Sequence, residues 1–279
     1  MEPAGILRVP HTMIRSIKPL VSGALLLLSV ACAQAPERSL IRVHYLGHAS
    51  FLFTLDNGLT VLTDYGESMA YGLNSPVYEL GGARPDVVTL SHNHADHAGG
   101  ALPEGVGPLI TGAAGYESRG LTITPIPTFE QTLQTPDNTS YLFEYQGMKA
   151  LHLGDCQALM TGLDEPGVTD RVNDLYPDTY DLVLLPIGYT RDILAEAAAF
   201  VKLLDAQYVI PMHYWDPQDR DTFLAMLDGA ADSRERKYEV RGTSGAGFDL
   251  PGSSGDRRSV VQVIGLRPAP VPRGSSPQS

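Results

Sequence analysis

The sequence predicts an α/β fold of two packed sheets with helices outside, in one domain from about residue 40 to 266. Three observations carry that reading. Hairpins cluster early, strand–helix–strand order appears late, and strand-like runs far outnumber clear helices. No internal repeat of about 20–50 residues points to a solenoid instead.

In order, Ile41 to Leu46 alternates apolar and polar residues like a strand. Phe51 to Leu55, the turn Asp56-Asn57-Gly58, and Leu59 to Thr63 read as a hairpin. Val87-Val88-Thr89-Leu90 is a short apolar run suited to a buried strand. Leu121 to Ile126, Tyr141 to Tyr145 and Ala150 to Leu153 follow, the last two joined by the tight turn Gln146-Gly147. Leu182 to Leu185 and Tyr208 to Ile210 look like buried strands. Between them, Ile193, Leu194, Ala197, Val201 and Leu204 recur at helical spacing over Arg191 to Leu204. A second helix is expected over Asp221 to Leu227. From Gly242 onward Gly, Ser, Pro and Arg dominate, apart from a strand at Val260 to Ile264, and the tail from Arg267 is expected to be disordered.

The first 33 residues stand apart from this domain. Arg15 and Lys18 precede an apolar stretch from Leu20 to Ala31, and Ala31-Cys32-Ala33 supplies an A-x-A cleavage pattern. This reads as a secretory signal peptide, too short for a comfortable membrane span. An exported, periplasmic or secreted protein is therefore expected. The alternative is a lipidated Cys32 tethering the chain to a membrane without inserting it. Once residues 1–33 are removed, Cys156 stands alone, so no disulfide framework supports the fold. The chain has 279 residues and 43% hydrophobic content, enough for a full core. It carries 20 basic and 32 acidic residues, and losing the leader makes it more acidic still. Such a surface repels nucleic acid and anionic lipid, leaving a small molecule as the expected partner.

The chemistry concentrates in Ser91-His92-Asn93-His94-Ala95-Asp96-His97. Three imidazoles and a carboxylate in H-x-H-x-D-H order directly follow a strand. His92 and His94, two apart, can point to one side. Asp96 and His97 on the turn can reach a second position about 3.5–4 Å away, as two-metal sites require. These donors, with no thiolate, suit zinc, with manganese or iron as alternatives. Asp155, in Leu153-Gly154-Asp155, follows a strand and a glycine, where a carboxylate can bridge two cations. His213 ends the run Tyr208 to Met212 and would project from another strand end. His44 and His152 lie within strands and read as structural, and Cys156 reads as a buried, inert thiol.

These segments resemble the metallo-β-lactamase superfamily. The branch they look closest to holds ascorbate-6-phosphate lactonase-like hydrolases and N-acyl-phosphatidylethanolamine phospholipase D relatives. The resemblance covers roughly residues 41–216. Its segments are Tyr45-Leu46-Gly47-His48-Ala49-Ser50-Phe51, Thr63-Asp64, Thr89 to Gly100, Leu153-Gly154-Asp155, Leu185-Pro186-Ile187-Gly188 and Ile210-Pro211-Met212-His213-Tyr214. It implies a four-layer αββα sandwich. It also implies a first metal on His92 and His94, a second on Asp96, His97 and His213, and a bridging Asp155. Asp64 would support the ligands from behind, and His48 would line the site. The family usually supplies a further histidine to the first metal, where this chain has Glu130 in Ile126-Pro127-Thr128-Phe129-Glu130-Gln131. Either Glu130 ligates, shifting preference toward harder cations, or the protein uses one metal. Asp137 is a weaker substitute.

The reaction this implies is hydrolysis by a metal-bound hydroxide, the bound water's pKa falling toward roughly 7, with Asp96 as the catalytic group that orients it or takes its proton. Tyr189, Arg191 and Tyr214 are candidate substrate contacts. The leading expectation is an exported hydrolase of a small ester, lactone, amide or phosphodiester. The alternatives are a β-lactamase, or a non-catalytic metal- or ligand-binding protein whose first site Glu130 has degraded.

Overall fold

The computed structural model describes residues 39–188, 191–252 and 260–272. Its strands are β1 (Ser39–Gly47), β2 (Ser50–Leu55), β3 (Thr60–Thr63), β4 (Val87–Leu90), β5 (Leu109–Thr111), β6 (Tyr116–Ser118), β7 (Leu121–Thr128), β8 (Asn138–Tyr145), β9 (Met148–His152), β10 (Thr179–Pro186), β11 (Asp205–Met212), β12 (Lys237–Gly242), β13 (Gly247–Pro251) and β14 (Val260–Gly265). The helices are α1 (Ala95–Ala98), α2 (Gln157–Thr161), α3 (Val168–Leu175), α4 (Arg191–Val201) and α5 (Pro217–Leu227).

One sheet runs β13-β1-β2-β3-β4-β5, the other β12-β14-β11-β10-β9-β8-β7-β6. In each, an antiparallel meander turns into parallel pairing. β1, β2 and β3 are antiparallel while β3, β4 and β5 are parallel. β7, β8 and β9 are antiparallel while β9, β10 and β11 are parallel. The early hairpins and late strand–helix–strand order of the sequence account for both halves.

Strand alternation decides what fills the space between the sheets. Ile41, Val43, Tyr45, Phe51, Phe53, Val61 and Val87 from one sheet share a buried cluster with Ile123, Tyr141, Phe143, Leu151 and Leu184 from the other. Phe53 and Phe143 meet edge to face, their ring centres 5.4 Å apart. Each such side chain contributes roughly 1.5–3 kcal/mol on burial. The alternate residues Leu46, Leu52, Leu62 and Val88 face outward and pack against Leu80, Val271 and neighbouring loop residues. Helices flank the sandwich: α4 packs on β10 and α5, and α5 on β12 and β14. Beside the first sheet, the described helical structure is confined to α1 and a single 3-10 turn at Ala70–Gly72.

The sequence reading did not include β5, β6, β12, α2 and α3, and three further segments differ from it. The second helix begins at Pro217, earlier than expected, because the Asp216 side chain accepts from the Gln218 amide and Pro217 occupies the first turn. Gly247–Pro251 forms an edge strand in a stretch read as irregular. β1 supplies its pairing, and Asp249 accepts from the exposed Arg42 guanidinium at 2.7 Å. Arg267 to Pro272, expected to open a disordered tail, instead lie along the first sheet. The His44 ring bonds the Ala269 carbonyl at 2.8 Å, the Ala269 amide donates to Tyr45, and Val271 is buried. Composition concealed these pairings because the partners lie far away in sequence. The leader and Cys32, along with residues 273–279, lie outside the described residues.

Candidate metal centre

Every predicted ligand sits just beyond a strand end, and the two sheets bring those ends to one edge. His92 to His97 follow β4, Glu130 follows β7, Asp155 follows β9, and His213 follows β11. The β1–β2 turn brings His48, and the end of β3 brings Asp64. Chains leaving strands there must bend sharply. His48, Asp64 and His213 accordingly have φ of 52°, 40° and 54°, values uncommon outside glycine. Two glycines allow close approaches. A Cβ on Gly188 would lie 1.8 Å from the His213 carbonyl oxygen. At Gly154, φ is +60° and a Cβ would lie 2.5 Å from Asn138 Oδ1.

The donors fall into three overlapping groups with their ligand atoms within 4.8 Å of one another: His92, His94 and Glu130; His92, His97 and Asp155; and His48, Asp96, His97 and His213. Glu130 thus stands where the sequence placed it, one oxygen 3.1 Å from His94 Nδ1 and the other 3.6 Å from His92 Nε2. Asp155 shares a group with one histidine from each expected metal position, and its Oδ2 lies 3.7 Å from His213 Nε2. Asp137 is no ligand here. It accepts from the Glu130 and Gln131 amides and fixes the turn that presents Glu130.

A buried hydrogen-bond network sets the nitrogen that each ring presents. Asp64 accepts from the Ser91 amide at 2.7 Å, from Ser91 Oγ at 2.6 Å, and from His97 Nδ1 at 2.9 Å. His97 therefore carries its proton on Nδ1 and turns a lone pair on Nε2 toward the cluster. With its own proton given to Asp64, Ser91 Oγ accepts from His92 Nδ1 at 3.0 Å, leaving His92 Nε2 facing inward as well. Burial pushes the Asp64 carboxyl upward, but His152, His97 and Ser91 together hold it well below the usual carboxylate range.

Sequence reasoning missed Ser91 and Asn138 as members of this network. Asn138 accepts the Asp155 amide at 2.9 Å and donates to the Leu153 carbonyl, clamping the Gly154-Asp155 turn. Its position opening β8, opposite a turn rather than inside a motif, gave no signal. His152 is structural, as expected: it donates to the Ala49 carbonyl and accepts the Gly154 amide. Tyr214, expected to contact substrate, is buried instead, packed beside Tyr45 with the Arg220 guanidinium 5.9 Å from its ring centre. That expectation rested only on its place directly after His213, where the chain turns with a left-handed φ of 54°. Tyr189 and the side chain of Arg191 lie outside the described residues.

The donor set suits a cation. His92 Nε2, Asp96 Oδ1 and His97 Nε2 are buried without a hydrogen-bond partner, an arrangement whose cost a bound ion offsets. Burial, with Asp155, Asp137 and Asp96 nearby, pushes Glu130 up to about 8, the mark of carboxylates crowded without compensating positive charge. Imidazole and carboxylate donors fit zinc, manganese or iron.

Fold and site together define a class: a sandwich of two mixed sheets with an imidazole–carboxylate cation centre at their shared strand ends. Residues 42–213 match the family model described as beta-lactamase superfamily domain. The chain belongs to that family, the metallo-β-lactamase superfamily, as its segments suggested. A UPF0173 metal-dependent hydrolase of Methanobrevibacter smithii is 28% identical over 230 residues, 67% of this chain and 90% of that protein. Another UPF0173 metal-dependent hydrolase, from Rubrobacter xylanophilus, is 27% identical over 208 residues, 62% of this chain and 81% of its own length. Among solved structures, one assigned as a zinc-dependent hydrolase of the superfamily, from Thermotoga maritima, superimposes with a TM-score of 0.53 at 25% identity. That match covers 81% of this chain and all of the other.

Proposed function

We propose that this metal-dependent hydrolase of the metallo-β-lactamase superfamily is an exported enzyme that cleaves a small ester, lactone, amide or phosphodiester with the help of one or two divalent cations, zinc foremost. The observation that carries the reading is the convergence of the seven predicted donor residues from four strand ends, with three of their inward atoms buried and unbonded. His92, His94 and Glu130 would hold one cation, and Asp96, His97 and His213 the other, with Asp155 between them. Such cations acidify water and polarise the attacked carbonyl or phosphoryl oxygen.

The chain's own residues do the rest. Asp64 keeps the His97 proton on Nδ1 and, through Ser91, the His92 proton on Nδ1, so both Nε2 atoms stay available. Burial acts against ionisation of Asp96, yet His213 and His48 hold its carboxyl far below the usual range, so it serves to hold and orient rather than to take up a proton. The His94 side chain is 39% exposed while His92, His97 and His213 are buried. Substrate therefore approaches over His94 and Glu130. With Glu130 beside both histidines, the first position has a full set of three protein donors, which favours catalysis over a disabled binding protein.

Export rests on residues 1–33, with a lipidated Cys32 as the variant form. Among the described residues, no helix is long and apolar enough to cross a membrane. The test is elemental analysis of the purified chain combined with a panel of esters, lactones, simple amides, phosphodiesters and the β-lactam nitrocefin, before and after chelation. Chelator-sensitive turnover on any of the first four is expected. Turnover of nitrocefin alone would move the assignment to β-lactamase, and a metal-loaded chain inert on the whole panel would refute the reading.

A further inference from the structure

We propose that His48 is a metal ligand, so that the deeper of the two cation positions is built from three imidazoles and a carboxylate: His48, Asp96, His97 and His213. The inference rests on the metal-centre reading above and goes beyond it, since His48 was expected only to line the site. Four observations support it. First, the ligand atoms of these four residues form one mutually close group, and all four residues are buried. Second, measured to Asp96 Oδ2, His48 Nε2 lies at 2.9 Å, His213 Nε2 at 3.5 Å and His97 Nε2 at 3.7 Å. Donors bonded tetrahedrally to one zinc at about 2.0–2.2 Å sit roughly 3.3–3.5 Å apart, within that spread.

Third, as at His97 and His92, the Nδ1 of His48 is engaged by a buried oxygen, Ser75 Oγ at 2.9 Å, and its Nε2 is turned toward the cluster, where it contacts Asp96 Oδ2. Ligating histidines characteristically give their second nitrogen to such a partner. Fourth, His48 is held in place at a strained backbone. It sits at φ 52°, and its carbonyl accepts the His213 amide at 2.9 Å, tying the two turns together. Strain of this kind persists where the surroundings over-determine a functional geometry.

The consequence is two chemically unlike positions. The deeper one is saturated with buried protein donors and holds its ion tightly. The outer one, on His92, His94 and Glu130, lies toward solvent and exchanges more readily, leaving room for substrate. Structural zinc sites are closed and catalytic ones keep an open position.

The test uses the full chain with zinc as the probe. A chelator series with elemental analysis should strip one ion well before the other. X-ray absorption of the singly loaded native protein should then show three imidazoles around the retained zinc. His48→Ala and His48→Gln should both lose that ion at chelator concentrations lower by roughly tenfold or more. Glutamine can keep the hydrogen bond to Asp96 but is a poor zinc ligand, so His48→Gln retaining zinc like the native chain would overturn the proposal. Two imidazoles around the retained ion, or two ions lost together, would overturn it as well, and both measurements need only the native protein. A native chain that binds no zinc, manganese or iron would instead sink the metal-centre reading beneath it.

Discussion

The most exacting prediction concerns Asp64, which touches neither predicted cation position. Its two oxygens receive three protons: from the Ser91 amide, Ser91 Oγ and His97 Nδ1. Asp64→Asn keeps the shape but leaves one accepting oxygen. The new amide N–H₂ must then face a donor, whichever way it is turned. If it faces His97, that ring is driven to the other tautomer, with a proton on the nitrogen that should bind the cation. If it faces the Ser91 amide, the turn carrying His92 is displaced. Loss of a partner that orients a ligating histidine costs 10–100-fold in metal affinity, about 1.4–2.8 kcal/mol. Because Asp64 acts directly on His97 and through Ser91 on His92, both positions should weaken together. Competition against a chromophoric chelator, with elemental analysis of each fraction, reads the two affinities. Affinities within about twofold of native at both positions would refute the argument. Weakening confined to one ion would break the proposed link through Ser91.

Three further predictions follow from neighbouring geometry. In the metal-free chain Glu130 is pushed up to about 8, chiefly by burial and then by Asp155 and Asp137. It must lose a proton to bind a cation. Affinity at the outer position should therefore rise with pH, by about tenfold per unit below 8, then level off, and Glu130→Gln should bind weakly with a flatter profile. A metal titration giving equal affinities at pH 6.5 and 7.5 would contradict this. Gly154→Ala places a Cβ 2.5 Å from Asn138 Oδ1 and 2.6 Å from Ser91 Cβ at φ +60°. The left-handed backbone alone costs roughly 1–2 kcal/mol, so calorimetry should show Tm lowered by at least about 2 °C, and by more once the clash is added. An unchanged Tm would mean the turn is not clamped as described. Finally, Cys156 is fully buried, and burial followed by the Asp155 charge raises its thiol well above the ordinary value. It should ignore thiol reagents in the folded protein and react only on unfolding, which a timed colorimetric assay in denaturant would check.

Much of the fold was legible because its signals are local. Alternation in Ile41 to Leu46 and the Asp56-Asn57-Gly58 turn mark the first hairpin, and the apolar spacing of Ile193 to Val201 marks α4. β13 was illegible because Gly247–Pro251 has only Phe248 and Leu250 to alternate, and its pairing partner lies some two hundred residues away. The ligands were legible for a chemical reason: histidine and aspartate crowded after a strand have few other uses. Glu130 was harder, since only the family resemblance, which expects a histidine at that place, marked it. The supporting residues escaped notice because serine and asparagine are common in turns. Nothing in Ser91, Ser75 or Asn138 as residue types tells a capping hydroxyl or amide from one that fixes a tautomer.

The deepest gap lies in backbone geometry, and it bears on why the centre is built as it is. His48, Asp64 and His213 each adopt a left-handed φ, a conformation that costs of order 1–3 kcal/mol per residue. Glycine would remove that cost but could supply no imidazole or carboxylate. The cost is offset by cross-bonding of the turns: the His213 amide to the His48 carbonyl, Ser50 Oγ to the Asp64 carbonyl, and the Asp64 amide to Thr89. Each of these bonds joins two different strand ends, so the strained turns hold one another. It follows that the centre is a cooperative unit of the whole edge rather than a property of the H-x-H-x-D-H run. The run names the chemistry, but β1, β3 and β11 decide where its donors meet.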